Sequence, residues 1–171
     1  MMIVAAVDGE QIPSQTVAEA YDLARRLDEE LVVMHVMPQD AFDEIKSSVT
    51  DNDRPLFLAP GLSYVDQSRG SSGGSGSRTE YSVQEGERSA RNVVERVVEE
   101  TLDEWNDVTL QGRVGEPVKE ILDEAERRDA SYVVIGGRKR TPVGKAIFGS
   151  TTQSLLLNAQ IPVLTVMREQ S

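Results

Sequence analysis

Short apolar runs rich in β-branched residues alternate with longer segments of helical period, and this alternation constrains the fold most. The five runs are Met2–Val7, Leu31–Met37, Val108–Val114, Tyr132–Ile135 and Ile161–Val166. Strands that alternate with helices form parallel sheets covered by helices on both faces and joined by right-handed crossovers. We therefore predict an α/β fold with an open five-stranded parallel sheet. The first and fourth strands should flank the point where the strand order reverses.

The segments between the runs predict helices, because their apolar residues recur at helical spacing. Four helices are predicted in this way. The first begins near Pro13, the second runs from Ser82 to about Trp105, the third begins at Pro117, and the fourth begins after Gly149. The second apolar run has no polar alternation except His35, which predicts a central strand. The third run alternates apolar with polar residues and is therefore predicted to lie nearer an edge.

Residues 38–80 break this pattern and are predicted to form an insertion within a single domain spanning residues 1–171. The second part of the insertion, Ser68–Arg78, consists largely of glycine and serine. Such a segment cannot bury enough apolar surface to offset its chain entropy. We expect it to be mobile and dispensable for folding, so that its deletion leaves the melting temperature nearly unchanged.

The amino-acid composition argues against several classes of binding partner and several kinds of catalytic or metal site. The net charge is −11, with 29 acidic against 18 basic residues, which argues against nucleic acid or an anionic membrane as a partner. The chain has no cysteine and one histidine, His35, so a disulfide, a zinc site or a histidine-based triad is not expected. We expect His35 to fill the core or bond to backbone. No apolar run approaches the ~20 residues of a membrane span, and we expect a soluble, cytoplasmic protein.

The stretch from Ser131 to Thr152 has the composition of an anion-binding loop. Gly136 and Gly137 follow the fourth apolar run, and Gly149 precedes three hydroxyl residues at a helix start. Between them lie the basic residues Arg138, Lys139, Arg140 and Lys145. Backbone N–H groups, a helix dipole and basic side chains can together bind a phosphate. The alternative is an ordinary strand–loop–helix connection whose basic residues are only solvated.

Asp8 ends the first strand and should face this loop, because open α/β sheets bind ligands at the carboxyl ends of their strands. The simpler alternative is that Asp8 only caps a turn. Two common nucleotide motifs are absent. A P-loop would need glycine at Lys139 and Ser or Thr at Ala146, and the dinucleotide fingerprint fails because Gly9 stands alone.

Taken together, the chain resembles the universal stress protein family. The family's ATP-binding signature is Gly, two residues, Gly, nine residues, then Gly-Ser/Thr. Gly136 and Gly149-Ser150 match it at the correct separation, whereas Lys139 stands at the position of the signature's second glycine. The VAAVDG opening, the VVMHV strand, the Gly115-Glu116-Pro117 turn and the IPVLTV end also fit. The resemblance implies a Rossmann-like fold of the adenine nucleotide α hydrolase-like class.

The resemblance also implies an ATP or ADP site, with Mg or Mn on the phosphates. Asp8 would contact the ribose or adenine, with Val7 beside it, and Val36 and Ile135 would line the adenine pocket. Gly136 and Gly149 would let backbone amides reach the ribose and phosphates. The residues implied to bind phosphate oxygens are Ser150, Thr151 and Thr152. Lys139 either neutralises phosphate charge or obstructs the loop. The family further implies a homodimer paired through the last strand.

The leading hypothesis is a nucleotide-binding stress or signalling protein that is not an enzyme, or turns ATP over very slowly. An interaction module of the same fold that has lost ATP is the main alternative. An AMP-transferring enzyme would need a Ser/Gly-rich pyrophosphate loop after strand one, which Asp8-Gly9-Glu10-Gln11 does not supply. A flavodoxin-like electron carrier would have few aromatic residues available to stack on flavin. We predict no catalytic residue and no protein-bound metal.

Overall fold

A computed structural model of the chain describes residues 1–8, 14–50, 81–138 and 148–168. The strands are β1 (Met2–Ala6), β2 (Glu30–Pro38), β3 (Val108–Gly115), β4 (Ala130–Arg138) and β5 (Val163–Arg168). The helices are α1 (Ser14–Leu27), α2 (Gln39–Thr50), α3 (Val83–Thr101), α4 (Pro117–Arg127) and α5 (Ser150–Asn158). Lys139 and the segment Ser68–Arg78, both subjects of sequence predictions, lie outside the described residues.

The five strands form one parallel sheet in the order β3-β2-β1-β4-β5. This confirms the predicted α/β class and puts β1 and β4 at the point where the strand order reverses. The central position of β2 and the edge position of β3 are also confirmed. The opposite edge is β5, whose only partner strand among the described residues is β4.

Side chains alternate between the two faces of the sheet, as the period of a strand requires. In β1, Ile3 and Ala5 pack with α1 and α3, whereas Val4 packs with α4 and α5. In β2, Val33 belongs to the first of these clusters and Val32 to the second. Both faces are therefore covered, and the carboxyl ends of the strands meet along one edge.

Helix α2 was not predicted, because residues 38–80 were interpreted as an irregular insertion. Phe42 and Ile45 lie three residues apart on α2 and pack with Met37 and Ala90 in a small third cluster. Two apolar positions among many polar ones were too few to reveal the helical period. Residues 51–80, which follow α2, lie outside the described residues.

The predicted end of α3 was about one turn too late. The helix ends at Thr101, and Leu102 is already extended. Asp103 and Glu104 come next, and carboxylates are unfavourable beside the negative end of a helix dipole. The spacing of apolar residues carries no information about charge, so it could not reveal where the helix ends.

Candidate functional site

A crevice opens at the carboxyl edge of the sheet where β1 and β4 part. The two strands are paired as far as Ala6 and Ile135. Beyond that point β4 continues to Arg138 in register with β5. The chain after β1 instead follows β2, because the N–H of Val7 donates to the carbonyl of Met34 at 2.9 Å. The end of β1 and the end of β4 therefore form the two sides of the crevice.

The β1 side of the crevice ends in buried Val7 and exposed Asp8. The Nδ1 of His35 lies 2.8 Å from the carbonyl oxygen of Val7. A carbonyl can only accept, so Nδ1 carries the proton. Burial lowers the pKa of His35, and the bond to Val7 and the charge of Asp8 offset this only in part. The prediction that His35 fills the core or bonds to backbone is confirmed, since the ring is buried and bonds to the Val7 carbonyl.

The β4 side of the crevice contains Gly136 between two threonines. The hydroxyl of Thr152 on α5 donates to the carbonyl of Gly136 at 3.2 Å. On the other side, Oγ1 of Thr16 on α1 lies 2.9 Å from the place where a Cβ at Gly136 would stand. A side chain at position 136 would therefore displace Thr16, which is a steric reason for glycine here.

Thr16 was missed by the sequence analysis. It is only 1% exposed, and within the described residues its Oγ1 has no hydrogen-bond partner. Nothing in the local sequence could have revealed this hydroxyl, because Thr16 simply precedes Val17 on the buried face of α1. Its neighbour Gly136 is 120 positions away along the chain.

Helix α5 begins at the crevice, and among the described residues no side chain caps its first turn. Its N-cap, Gly149, provides no side-chain cap, and its carbonyl accepts from the N–H of Gln153 at 2.9 Å. The first N–H groups of a helix have no acceptor within the helix, and the dipole places positive potential there. Gly149, Ser150 and Thr151 are exposed, whereas Thr152 is buried against Gly136.

Helices α3 and α4, in contrast, close their own first turns with side chains. In α3, the Ser82 hydroxyl accepts from the N–H of Glu85, and the Glu85 carboxylate accepts from the N–H of Ser82 at 2.9 Å. In α4, the Glu116 carboxylate accepts from the N–H groups of Val118 and Lys119 at 3.1 and 2.7 Å. These two helix starts already have an acceptor, and that of α4 is an anion.

The structure brings some of the predicted site residues together and buries others. Val36 and Ile135, predicted to line the adenine pocket, are buried in the cluster that packs under α4 and α5. Gly136 and Thr152 are in contact, and Asp8 lies across the crevice from them. The nucleotide contacts assigned to these residues stay predictions.

Neither a ready metal site nor a helix able to span a membrane is present in residues 1–8, 14–50, 81–138 and 148–168. No group of three or more His, Asp or Glu side chains there is arranged to hold a metal ion. No helix in the same ranges combines the length and the apolar character needed to cross a membrane.

Comparison with known proteins identifies the family. The sequence profile of the Universal stress protein family matches residues 1–167. The chain belongs to the universal stress protein family. It is 28% identical over 172 residues to the stress response protein NhaX of Bacillus subtilis, a match that covers 96% of each chain. A universal stress protein of Mycolicibacterium smegmatis is 48% identical over 48 residues, which cover 28% of this chain and 37% of that protein.

Solved structures of the family agree on the fold. The universal stress protein UspA of Lactobacillus plantarum has a TM-score of 0.57 and 17% identity, with 97% of each chain covered. A universal stress protein in complex with cAMP also has a TM-score of 0.57, with 15% identity and coverage of 97% of this chain and 96% of that chain. The predicted family and Rossmann-like fold class are confirmed.

Proposed function

We propose that this chain binds an adenine nucleotide, ATP or ADP, in the crevice between the ends of β1 and β4. The observation that carries the proposal is the first turn of α5, which begins at the crevice and has no side-chain cap from any described residue. A phosphate supplies the acceptor oxygens and the negative charge that such a helix start lacks. The capped starts of α3 and α4 offer no comparable opening.

The surroundings of α5 support a phosphorylated ligand. Gly136 itself adds no side chain to the β4 side of the crevice, and Ser150 and Thr151 are exposed at the first turn of α5. The sequence adds Lys139, Arg140 and Lys145 between β4 and α5. Phosphate charge is compensated well by such basic residues. The cAMP complex of a protein with the same fold supports adenine as the base.

The residues present suit a divalent cation that arrives with the nucleotide. The described part of the chain has no ready cluster of metal ligands. Mg²⁺ is commonly bound through substrate phosphates and only one or two carboxylates. In this arrangement the cation would be held by the nucleotide's phosphates and neutralise their charge, and Asp8 would remain the contact for the ribose or adenine.

We further propose that the protein does not turn the nucleotide over at an appreciable rate. The described side chains at the first turn of α5 are the hydroxyls of Ser150, Thr151 and Thr152. A hydroxyl without a positioned base is a weak general acid–base catalyst. Over several hours, phosphate release from ATP should therefore be no faster with the protein than in buffer alone. Multiple turnovers that depend on Gly149 would contradict the non-catalytic proposal.

The decisive experiment is a calorimetric titration of Gly149→Val with ATP and ADP, with and without Mg²⁺. An ideal Cβ at Gly149 meets no atom of the described residues within 4 Å. The substitution should therefore leave the fold intact while its side chain intrudes on the phosphate position. We expect a loss of affinity of at least about tenfold, roughly 1.4 kcal/mol.

Gln153→Val is the matched control, because it adds the same side chain to an exposed position one turn further along α5. It should bind as the wild type does. Equal affinity of Gly149→Val and wild type would overturn the assigned site. Absence of nucleotide binding by the wild type would instead favour the interaction module that has lost ATP.

We also propose a homodimer that pairs through β5. This edge strand and the neighbouring α5 expose large apolar side chains, with Leu156, Leu157 and Leu164 at 41%, 76% and 39% exposure. Exposed apolar edge strands invite pairing with another chain. Light scattering should report a dimer for the wild type and a monomer for Leu164→Arg. Val83→Arg, on α3 over the opposite edge of the sheet, is the control and should remain dimeric.

A further inference from the structure

The last residue before the crevice, Val7, is held to β2 by two hydrogen bonds of different kinds. Its N–H donates to the carbonyl of Met34, as the next rung of the β1–β2 ladder would require. Its carbonyl accepts from the ring of His35 at 2.8 Å. The ladder between the strands ends one residue earlier, at the pair of Ala6 and Met34. A side chain therefore determines where the Val7 carbonyl points.

The direction of that carbonyl follows from the alternation along β2. Val33 packs on the face covered by α1 and α3, whereas Met34 and Val36 pack on the face covered by α4 and α5. By the period of two, His35 lies on the α1/α3 face. Its ring consequently draws the Val7 carbonyl towards that face.

The geometry of the peptide then orients Asp8. The described chain contains no cis peptide bond. In a trans peptide the C=O and the following N–H point in opposite directions. The N–H of Asp8 is therefore directed away from His35, towards the side of the sheet on which α5 opens its first turn. Asp8 itself is exposed at the crevice.

We propose that His35 is a positioning residue for the nucleotide site: its Nδ1–H fixes the Val7–Asp8 peptide and thereby aims Asp8 into the crevice. The inference rests on the proposed function and adds a residue to that site. His35 is 4% exposed and acts through Val7 and Asp8 rather than by touching the nucleotide. Its hydrogen bond, more than its volume, is what the site requires.

The first test compares His35→Asn with His35→Leu in calorimetric titrations with ATP. The amide nitrogen of Asn lies two bonds beyond Cβ, as Nδ1 does, so it can still donate to Val7. Leu fills a similar volume but has no donor. We expect His35→Asn to bind within about threefold of wild type and His35→Leu to lose about tenfold or more. Val32→Ala, a buried β2 substitution remote from the crevice, controls for general loss of stability.

The second test needs no substitution. Because His35 is the sole histidine, nitrogen-15 NMR of its ring reports one tautomer without ambiguity. At neutral pH the expected signature is a protonated Nδ1 and an unprotonated Nε2. An Nε2-protonated ring would overturn the proposal even if the leucine variant failed to fold.

The outcomes separate this inference from the proposed function. If the wild type and His35→Leu bind ATP with equal affinity, the role of His35 is overturned and the nucleotide site stands. Equal weakness of the folded Asn and Leu variants also overturns it, because the donor would then be irrelevant. A wild type that binds no nucleotide overturns the proposed function and the positioning role together, whatever tautomer the ring shows.

Discussion

Gly136 lies between two threonines in different hydrogen-bonding states. Thr152 donates to the carbonyl of Gly136, whereas Thr16 is buried with no partner for its hydroxyl among the described residues. A buried polar group costs free energy when it is unpaired, and its removal then stabilises the fold. The same substitution at the two positions should therefore have opposite effects.

Thr16→Val should raise the free energy of unfolding by about 1 kcal/mol, because it removes a buried hydroxyl with no partner at nearly constant volume. Thr152→Val should lower it by about 1 kcal/mol, because the Gly136 carbonyl loses its donor. Urea denaturation of both variants measures the difference. Destabilisation by both would show that the Thr16 hydroxyl has a partner in solution.

An aspartate with positive φ follows the C-terminal end of α1 directly and that of α4 after one intervening residue. Asp28 has φ 56° and Asp129 has φ 51°. After α1, the N–H of Glu29 donates to Ala24 at 2.9 Å and that of Asp28 to Arg25 at 3.4 Å, which is the Schellman pattern. Glycine adopts this left-handed conformation without the steric cost of a Cβ. Both aspartates also put negative charge at the negative end of a helix dipole.

Asp28→Gly should therefore raise the free energy of unfolding by about 0.5–1 kcal/mol. Asp28→Ala is the matched variant, because it removes the charge but keeps the Cβ in the strained conformation. It should be less stable than the glycine variant. Thermal unfolding at neutral pH ranks the three proteins, and an alanine variant as stable as the glycine variant would assign the whole effect to charge.

At the scale of the whole molecule, an ion cluster around the buried carboxylate of Glu124 joins β3 and α4. Glu124 is 0% exposed and is paired with Arg113 at 3.2 Å, Arg127 at 2.6 Å and Arg128. Burial alone would raise the pKa of Glu124, but hydrogen bonds from Arg128 and Arg113 and the charges of Arg128 and Arg127 outweigh it. The pKa is therefore held below its ordinary value of 4.5.

As the pH is lowered, the free energy of unfolding should decrease in two separate pH ranges. His35 has a lowered pKa, so the unfolded state takes up its proton first, and stability decreases as pH falls below about 6.5. Glu124 also has a lowered pKa, so its contribution is present above about 4.5 and is lost as pH falls towards the folded value. Urea denaturation from pH 8 to pH 3 should show both decreases.

Variants separate the two windows. His35→Asn should remove the decrease that begins near pH 6.5 and leave the lower one. Glu124→Gln should cost at least about 2 kcal/mol at neutral pH, because three arginines lose their common carboxylate. It should also flatten the lower window. An unchanged profile for both variants would assign the acid sensitivity to other groups.

The sequence by itself determined the features that depend on neighbours along the chain. Alternating apolar runs and helical periods specified the five strands, the parallel class and the reversal between β1 and β4. The bond of His35 to backbone was also predictable, since a lone polar side chain in an apolar strand requires a partner. The α5 start was recognisable because Gly149 and its hydroxyl neighbours are adjacent in sequence.

Only the tertiary structure decided the features that depend on residues distant in sequence. Thr16 meets Gly136, and Gly112 lets the backbone of α3 at Glu87 and Arg91 lie directly on β3, where a Cβ could not fit. The pairing of Arg113 with Glu124 likewise joins two elements. Periodicity reports which face of an element is buried but not which atoms it meets. Those contacts exist only once the sheet order has brought the elements together.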